Sequence, residues 1–437
     1  MNLQWLALGS LLLASACGGS AAEDKSAAAV AAPAADKVTI GAGFIMGADA
    51  SMLSVLERLG GRFSSATGEP GDPLAILQDN GIGWIRLRLW HTPVNSRDVI
   101  DGDRIVSRHG DPVGGGNNDL ATTVRLAKRA KAQGMKVLLD IHYSDFWADP
   151  GHQEKPAAWA TLHGSALEDA VGAYTRQVLS TLAAANATPD MVQLGNETNG
   201  GFLWPDGKTW VEKHGETIGG NAGYVALLKR AIAAVRASDN TRGARLPVMV
   251  HLANGGDNAL YRGVFDMLTA NAVDFDVIGL SYYPYHHGPL AGLRSNLHDL
   301  AARYGKPLVV VETAYAYTLV NGDDSPNVVN AELAQTAGYP ASVQGQADLV
   351  RDVIETVASV PQGLGRGVFY WEPLWIPVAG AGWRTGDGNG WDNQAMFDFG
   401  GRALPSLQVF KRLRELCATG CTPRVPASAT TLRAKTQ

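Results

Sequence analysis

Two glutamates stand at the ends of short apolar runs, where a carboxylate is costly to ionise unless polar groups compensate it. Glu197 follows the run 191–194, and Glu312 follows the run 308–311. Two carboxyl groups can supply a general acid together with a nucleophile or a base, which is the pair that cleavage of a glycosidic bond requires. Structural carboxylates paired with arginine also occur at such places, so neither residue alone decides the chemistry.

The elements that would position these glutamates are eight apolar runs, which alternate with longer amphipathic stretches. The runs lie near 44–47, 85–89, 136–141, 191–194, 248–250, 277–280, 308–311 and 368–370. Stretches such as 119–133 and 224–237 have apolar residues at helical spacing. Alternation of this kind predicts parallel strands joined by helices, and eight such units predict a closed barrel. We therefore expect an α/β fold, a single (β/α)8 TIM barrel that spans residues 38–416.

Polar and aromatic residues gather directly after these runs. They are Arg88, Trp90, His142, Tyr143, Asp145, Asn196, Glu197, Tyr282, Tyr283, Glu312, Trp371 and Glu372. The carboxyl ends of all eight strands of a barrel meet at one mouth, where barrel enzymes carry their active sites. The sequence therefore predicts one site at this mouth, built around the two glutamates.

Beyond this pattern, seven segments carry a more specific signal. The longest is 127–156 (AKRAKAQGMKVLLDIHYSDFWADPGHQEKP). The others are 47–49 (GAD), 84–90 (WIRLRLW), 114–120 (GGGNNDL), 193–205 (QLGNETNGGFLWP), 312–323 (ETAYAYTLVNGD) and 392–399 (DNQAMFDF). Together they extend over nearly all of residues 40–412, and in both sequence and order they resemble the endo-β-1,4-galactanases of glycoside hydrolase family 53, which belong to a clan of retaining β-glycosidases.

The resemblance implies an enzyme that cuts internal β-1,4 bonds of galactan or arabinogalactan and retains the anomeric configuration. It implies that Glu197 is the general acid/base and that Glu312 is the nucleophile. Asn196 would hydrogen-bond the 2-hydroxyl of the sugar. A polysaccharide is then the expected partner of a chain that we expect to be monomeric.

Other residues at the mouth would support the nucleophile. Arg88 is expected to keep Glu312 ionised, because a nearby cation favours the charged form of a carboxyl group. Tyr283 or Tyr282 is expected to orient the same carboxylate through a hydrogen bond.

The remaining predicted substrate contacts are His142, Trp371, Asp145 and Trp147. On the resemblance, His142 lines the subsite next to the cleaved bond and Trp371 forms the floor of that subsite. Asp145 and Trp147 would position sugars farther along a groove. The alternatives are that His142 is a core histidine with satisfied hydrogen bonds and that Trp147 only packs a loop.

A loop after the seventh run has oxygen-bearing side chains at alternate positions, a spacing that can surround a calcium ion. Bacterial members of the resembled family can carry calcium in this loop. The corresponding ligands here would be Asn321, Asp323, Asn327, Asn389 and Asp392. The loop carries fewer charges than that pattern, and an ordinary turn rich in Asn, Asp and Gly is the alternative. No organic cofactor is expected.

The chain begins with features of an exported protein. Residues 1–17 are interpreted as a signal peptide that ends at Cys17, which could accept a lipid, and the Ala-rich stretch 18–37 as a flexible tether. Two locations follow: an outer-membrane or cell-surface lipoprotein, or a secreted or periplasmic protein. The only membrane contact expected is the lipid at Cys17. At the other end, Cys417 and Cys421 could pair within the tail 417–437.

Composition excludes some functions but leaves two alternatives. With a formal net charge of -5, nothing favours binding to nucleic acid. One alternative is another β-glycanase of the same clan that acts on mannan, xylan or glucan. The second is a surface lipoprotein that binds polysaccharide without cleaving it.

Overall fold

The computed structural model describes residues 37–211 and 218–424. The predicted signal peptide, Cys17 and nearly all of the predicted tether lie outside the described residues, as does the chain after Arg424. No helix within the described ranges combines the length and the hydropathy needed to cross a membrane.

Eight parallel strands form a closed barrel in which each strand pairs with its neighbours in the chain. The barrel strands are β1 (Ile45–Asp49), β2 (Trp84–Leu89), β5 (Lys136–Ile141), β6 (Met191–Leu194), β7 (Val248–Leu252), β8 (Val277–Ser281), β9 (Leu308–Glu312) and β10 (Gly365–Tyr370). Pairing of β1 with β10 closes the ring. The predicted fold class is therefore confirmed, and every predicted run overlaps an observed strand.

Helices follow the strands and surround the barrel. They are α1 (Leu53–Arg58), α2 (Pro73–Asp79), α3 (Leu120–Ala132), α4 (Gly164–Ala184), α5 (Asn221–Arg242), α6 (Asn258–Ala270), α7 (Leu290–Tyr304), α8 (Ala331–Ala337), α9 (Val343–Ala358) and α10 (Val409–Leu416). Short 3₁₀ helices span Ala157–Trp159, Pro361–Gly363, Asp392–Gln394 and Pro405–Gln408. The Asp119 side chain caps α3 by accepting the Thr122 N–H, which explains why the helix begins where the sequence predicted it.

A two-stranded hairpin in the connection between β2 and α3 has no counterpart in the sequence prediction. It consists of β3 (Val99–Asp101) and β4 (Arg104–Ser107). Its turn contains Gly102 at a φ of 58°, a conformation that glycine adopts without steric cost. Strands this short and this exposed bury too little apolar surface to leave a clear pattern.

The inside of the barrel has two layers of different chemistry. The lower layer is apolar and consists of Ile45, Leu138, Met191, Met249, Val277, Val309, Val311 and Phe369. On β2 and β5 the inward positions change from Trp84 and Leu138 to Arg86 and Asp140 toward the carboxyl ends, while the intervening residues pack against the helices. Because strand residues alternate between faces, two steps along a strand lead from the apolar layer into a charged one.

The two ends of the described chain meet. Val38 pairs in antiparallel fashion with Cys421, and a disulfide joins Cys417 to Cys421. This pairing attaches the segment after α10 to the segment that precedes β1.

Candidate active site

Glu197 and Glu312 face each other across the carboxyl mouth of the barrel. Glu312 is the last residue of β9, and Glu197 lies three residues beyond β6, the fourth barrel strand. A carboxylate oxygen of Glu197 and one of Glu312 lie within 4.8 Å of each other. Retaining glycosidases hold their two carboxyl groups about 5–5.5 Å apart, whereas inverting enzymes need a wider gap for a water molecule. The geometry therefore favours retention.

The turn that carries Glu197 has an unusual backbone. Glu197 itself has a φ of 47°, in the left-handed region that non-glycine residues seldom occupy. Gly195, two residues earlier, has a φ of 81°, and a Cβ there would lie 2.5 Å from the Thr198 side chain. Strained conformations of this kind persist where the surrounding structure fixes them, and they are frequent at active sites.

Glu312 is held by one cation and one hydroxyl group. Its Oε1 lies 2.8 Å from Nη1 of Arg86, and its Oε2 accepts a hydrogen bond of 3.0 Å from the Tyr283 hydroxyl. The expectation that Arg88 pairs with Glu312 is therefore wrong. Tyr282 does not contact the nucleophile either, since its buried hydroxyl donates to the Gly288 carbonyl.

The two arginines of β2 contact different glutamates because they lie at different depths in the barrel. Arg86 also contacts Asp49 at 3.1 Å and Asp140 at 2.8 Å, both fully buried. Arg88, one inward position closer to the mouth, pairs with Glu372, two residues beyond β10, and also lies 3.4 Å from Asp49. The result is a buried network in which each guanidinium contacts at least two carboxyl groups, as burial of a charge requires.

Their surroundings give the two glutamates different proton affinities. Burial and the nearby charge of Glu312 raise the pKa of Glu197 to about 8, although the Ser281 hydroxyl and Arg86 oppose the rise. Burial also raises the pKa of Glu312, but there the ion pair with Arg86 opposes the rise most strongly. Glu312 therefore loses its proton before Glu197 does. Between the loss of these two protons the pair consists of one carboxylate and one carboxylic acid, the two forms that the first step of a retaining mechanism uses.

Asn196 and His142 line the same mouth and are fixed by hydrogen bonds. The Asn196 Oδ1 accepts from Arg86, and its Nδ2 donates to the Ala148 carbonyl, which leaves one amide hydrogen for a ligand. The Nδ1 of His142 accepts from the Trp90 indole and the Ala148 N–H, so its Nε2 carries the proton and donates to Asp140. His142 thus combines both predicted alternatives, a groove-lining position and satisfied hydrogen bonds.

A groove of about 970 Å³ opens above the two glutamates. Aromatic side chains form much of its wall: Phe146, Trp147, Tyr283, Trp371, Trp383 and Trp391. Trp147 lies 4.3 Å from the Arg88 guanidinium and donates its indole N–H to the Trp383 carbonyl. Asp145 also lines the groove, but its two oxygens accept the N–H groups of Thr92 and Ala157, so it fixes the loop as well.

The predicted calcium loop contains oxygens of two kinds. The buried Oδ1 atoms of Asn327 and Asp392 have no hydrogen-bond partner among the described residues. The Asp323 oxygens instead accept the N–H groups of Ser325 and Asn389. The two remaining predicted ligands, Asn321 and Asn389, use both ends of their amides in hydrogen bonds within the protein.

Sequence reasoning missed a set of polar residues beneath the glutamates. They are Asp49, Arg86, Asp140, Gln193, His251 and Ser281, all buried. The available signal was the period of two along each strand, which assigns Arg86 to the same face as Arg88 and Asp140 to the face of Leu138. The prediction considered only the residues that follow each strand, so it missed the inward-facing residues within the strands.

The fold and this site together define a class of protein. A (β/α)8 barrel that holds two close carboxyl groups at the ends of its fourth and seventh strands, under an aromatic groove, has the site of a retaining glycoside hydrolase. The profile of Glycosyl hydrolase family 53 matches residues 45–410. The chain belongs to this family, and the resemblance noted in its sequence is confirmed.

Individual relatives agree with this assignment. The chain is 39% identical to an endo-beta-1,4-galactanase of Bacillus subtilis, over 84% of this chain and 85% of the relative. It is 35% identical to an arabinogalactan endo-beta-1,4-galactanase of Cellvibrio japonicus, over 84% of this chain and 90% of the relative. Among solved structures, the GH53 catalytic domain of Ignisphaera aggregans is 44% identical, with a TM-score of 0.77, and the match covers 86% of this chain and 97% of that domain.

Proposed function

We propose that the protein hydrolyses internal β-1,4-galactosidic bonds of galactan or arabinogalactan and retains the anomeric configuration. The observation that carries the proposal is the carboxyl pair, separated by less than 4.8 Å and different in proton affinity. Membership of the family and the named galactanase relatives support the choice of galactan. A groove of about 970 Å³ accommodates several sugar residues, which supports cleavage within a chain.

The first step uses the ionised Glu312 as a nucleophile. Its carboxylate attacks the anomeric carbon while Glu197 gives its proton to the departing glycosidic oxygen. Arg86 and Tyr283 orient the attacking carboxylate. The remaining amide hydrogen of Asn196 is available to the sugar 2-hydroxyl.

In the second step Glu197 changes its role. Formation of the glycosyl ester removes the negative charge of Glu312, so the pKa of Glu197 falls and its carboxylate becomes the stable form. It can then accept a proton from the water molecule that attacks the ester. Two inversions at one carbon give the retained product.

A reducing-sugar assay with potato-type galactan, mannan and xylan tests the proposal. We expect release from galactan alone, and loss of at least a hundredfold in Glu197→Gln, since a general acid contributes about 10²–10⁴ in rate. Glu332→Gln is the matched control, because Glu332 is exposed in the first turn of α8. Turnover of mannan or xylan but not of galactan would contradict galactan as the substrate and identify another β-glycanase. Galactan binding without any turnover would contradict the enzymatic function and indicate a polysaccharide-binding protein.

We propose in addition that the loop after β9 binds calcium through Asp323, Asn327 and Asp392. The unpartnered buried oxygens of Asn327 and Asp392 support this, as does a pKa of Asp392 that burial and the charge of Asp323 raise to about 6. Asn321 and Asn389 would then support the loop rather than bind the ion, because each neutral amide oxygen already accepts a backbone N–H. The oxygens of Asp323 also accept N–H groups, but its negative charge still attracts a cation. The ion would stiffen the loop and would take no part in catalysis.

Binding to the native state alone raises stability by about 2.7 kcal/mol at a hundred times the dissociation constant. Calcium should therefore raise the melting temperature of chelator-treated protein, and Asp392→Asn should remove most of that increase. Asp398→Asn is the matched control because Asp398 accepts hydrogen bonds within its own turn. An equal response of all three proteins would contradict the site.

For the segment before the barrel, we propose export and acylation of Cys17. An apolar run that ends in small residues before a cysteine supports this, and so does the Ala-rich stretch that follows. Mass spectrometry of the mature amino terminus tests this, and we expect Cys17 as the first residue with a lipid attached. A free, unlipidated terminus would contradict acylation while leaving export intact.

A further inference from the structure

Two buried polar residues beside Glu197 have no part in the mechanism so far. His251 lies on β7 and Ser281 ends β8, and both are fully buried. The Ser281 hydroxyl donates to Oε1 of Glu197 at 2.6 Å, and Nε2 of His251 lies 2.9 Å from the same hydroxyl oxygen. A chain of hydrogen bonds thus leads from a buried imidazole to the acid/base.

The direction of this chain follows from its two ends. Two donors approach Nδ1 of His251, the Gln193 Nε2 amide at 3.0 Å and the Glu197 backbone N–H at 3.3 Å. The Gln193 amide is oriented because its Oε1 accepts from Arg86. Asn196 Oδ1 lies 3.1 Å from the same nitrogen but accepts from Arg86, so Nδ1 is an acceptor and Nε2 carries the ring proton. That Nε2–H must then donate to the Ser281 oxygen. The Ser281 hydrogen is directed to the Glu197 carboxyl, which closes a ring of hydrogen bonds that begins and ends at one residue.

Burial and a neighbouring cation keep the imidazole of His251 neutral. Burial lowers the pKa of His251 most, and the cation Arg86 lowers it further; protonation of the neighbouring His142 or His287 would act in the same direction. Glu197 in turn faces Glu312, Asp149 and Arg86. A neutral histidine retains its one proton on Nε2 across the working range of pH, so the ring does not reverse.

We propose that Ser281 and His251 are positioning residues that keep the acidic proton of Glu197 on Oε2, the oxygen left free for the departing group. Because Oε1 of Glu197 already accepts the Ser281 hydroxyl hydrogen, a carboxylic acid proton on Oε1 would be repelled by that hydrogen. The inference rests on the proposed function, since it concerns the acid of that reaction. It assigns a role in proton delivery to two residues that do not touch the substrate.

Removal of the donor should have two effects on proton transfer. In Ser281→Ala the proton can occupy either oxygen, so cleavage of aryl galactobiosides with poorly acidic leaving groups should slow about tenfold, a small part of the 10²–10⁴ that general acids supply. Dinitrophenyl galactobioside, which needs little protonation, should be cleaved at nearly the native rate. The hydrogen bond from Ser281 also lowers the pKa of Glu197. Its loss should therefore move the alkaline limb of kcat/KM to higher pH.

The experiment compares Ser281→Ala with Ser281→Thr, which keeps the hydroxyl, and with Thr313→Val. Thr313 lies next to the nucleophile, and its buried hydroxyl has no partner within the described chain, so its removal controls for loss of a buried hydroxyl. Leaving-group dependence and pH profiles are measured for proteins whose melting temperatures show that they are folded. His251→Gln, which keeps an N–H donor, should resemble the native enzyme more closely than His251→Leu.

The proposal is overturned if Ser281→Ala slows good and poor leaving groups equally and leaves the alkaline limb in place, because a purely structural role predicts that result. It is also overturned if Thr313→Val has the same effects. Failure of the galactanase function is recognised separately, in the native enzyme. If native protein cleaves aryl xylobiosides rather than galactobiosides, the same variants are compared on those substrates.

Discussion

Replacement of Glu312 by glutamine tests the coupling between the two carboxyl groups. The substitution removes one negative charge and preserves the shape of the side chain. Since the charge of Glu312 is one cause of the raised pKa of Glu197, that pKa should fall. Arg86, relieved of one anionic partner, acts in the same direction.

The magnitude follows from the separation. At 4.8 Å, the upper limit of the separation between the nearest oxygens, two unit charges interact with about 3.5 kcal/mol at an effective dielectric constant of about 20, which corresponds to about 2.5 pKa units. Water in the groove screens part of this interaction. We therefore expect the pKa of Glu197 to fall from about 8 by roughly two units, while burial keeps it above the ordinary value of a glutamate.

Carbon-13 NMR of protein labelled at the glutamate side-chain carboxyl carbons measures this directly. The Glu197 resonance is assigned by its absence in Glu197→Gln, and Glu332→Gln is the control for an exposed carboxyl. Native protein should show two steps that belong to the pair, as interacting groups do. A Glu197 pKa that changes by less than half a unit in Glu312→Gln would show that burial alone sets its acidity, and the change of role between the two steps would need another cause.

Two further outcomes follow from the same geometry. With an activated aryl galactoside and azide, Glu197→Ala should yield the β-azide and Glu312→Ala the α-azide, as NMR of the products can show; identical anomers would contradict the separate roles. Arg86→Met leaves several buried carboxylates without their cation and should lower the free energy of unfolding in urea by about 3–5 kcal/mol at pH 7. The exposed Arg412→Met should change it by less than 0.5 kcal/mol. Because protonation relieves unpaired carboxylates, the Arg86→Met loss should shrink at pH 4, and a loss independent of pH would refute this reasoning.

The sequence predicted the barrel well because a barrel strand is buried on both faces. Runs such as 136–141 and 191–194 coincide with β5 and β6 to the residue. The hairpin of β3 and β4 escaped prediction because its exposed strands show no such apolar run. Strand ends were also underestimated where a polar residue closes a strand, as Ser281 closes β8.

Within the site, sequence reasoning found the residues beyond the strands but assigned one ion pair wrongly. Arg86 and Arg88 share a face, and only the depth of each in the barrel decides that Arg86 reaches Glu312. Depth depends on the tilt and register of neighbouring strands, such as the alignment of Arg86 with Leu138. No local pattern in one strand contains that information. The choice between Tyr282 and Tyr283 depended in the same way on which side chain turns inward after β8.

The two layers inside the barrel explain how a charged site persists in a stable fold. Below, apolar side chains such as Met249 and Phe369 fill the interior and hold the strands together. Above, Arg86 lies among carboxyl groups that burial alone would keep protonated, and its positive charge favours their ionised form. Because the supporting strands are fixed from below, the charged groups cannot move apart to relieve their repulsion. The pKa of Glu197 is raised by burial and by the nearby charge of Glu312, and both causes require that water stays out and that the two carboxyl groups stay close together.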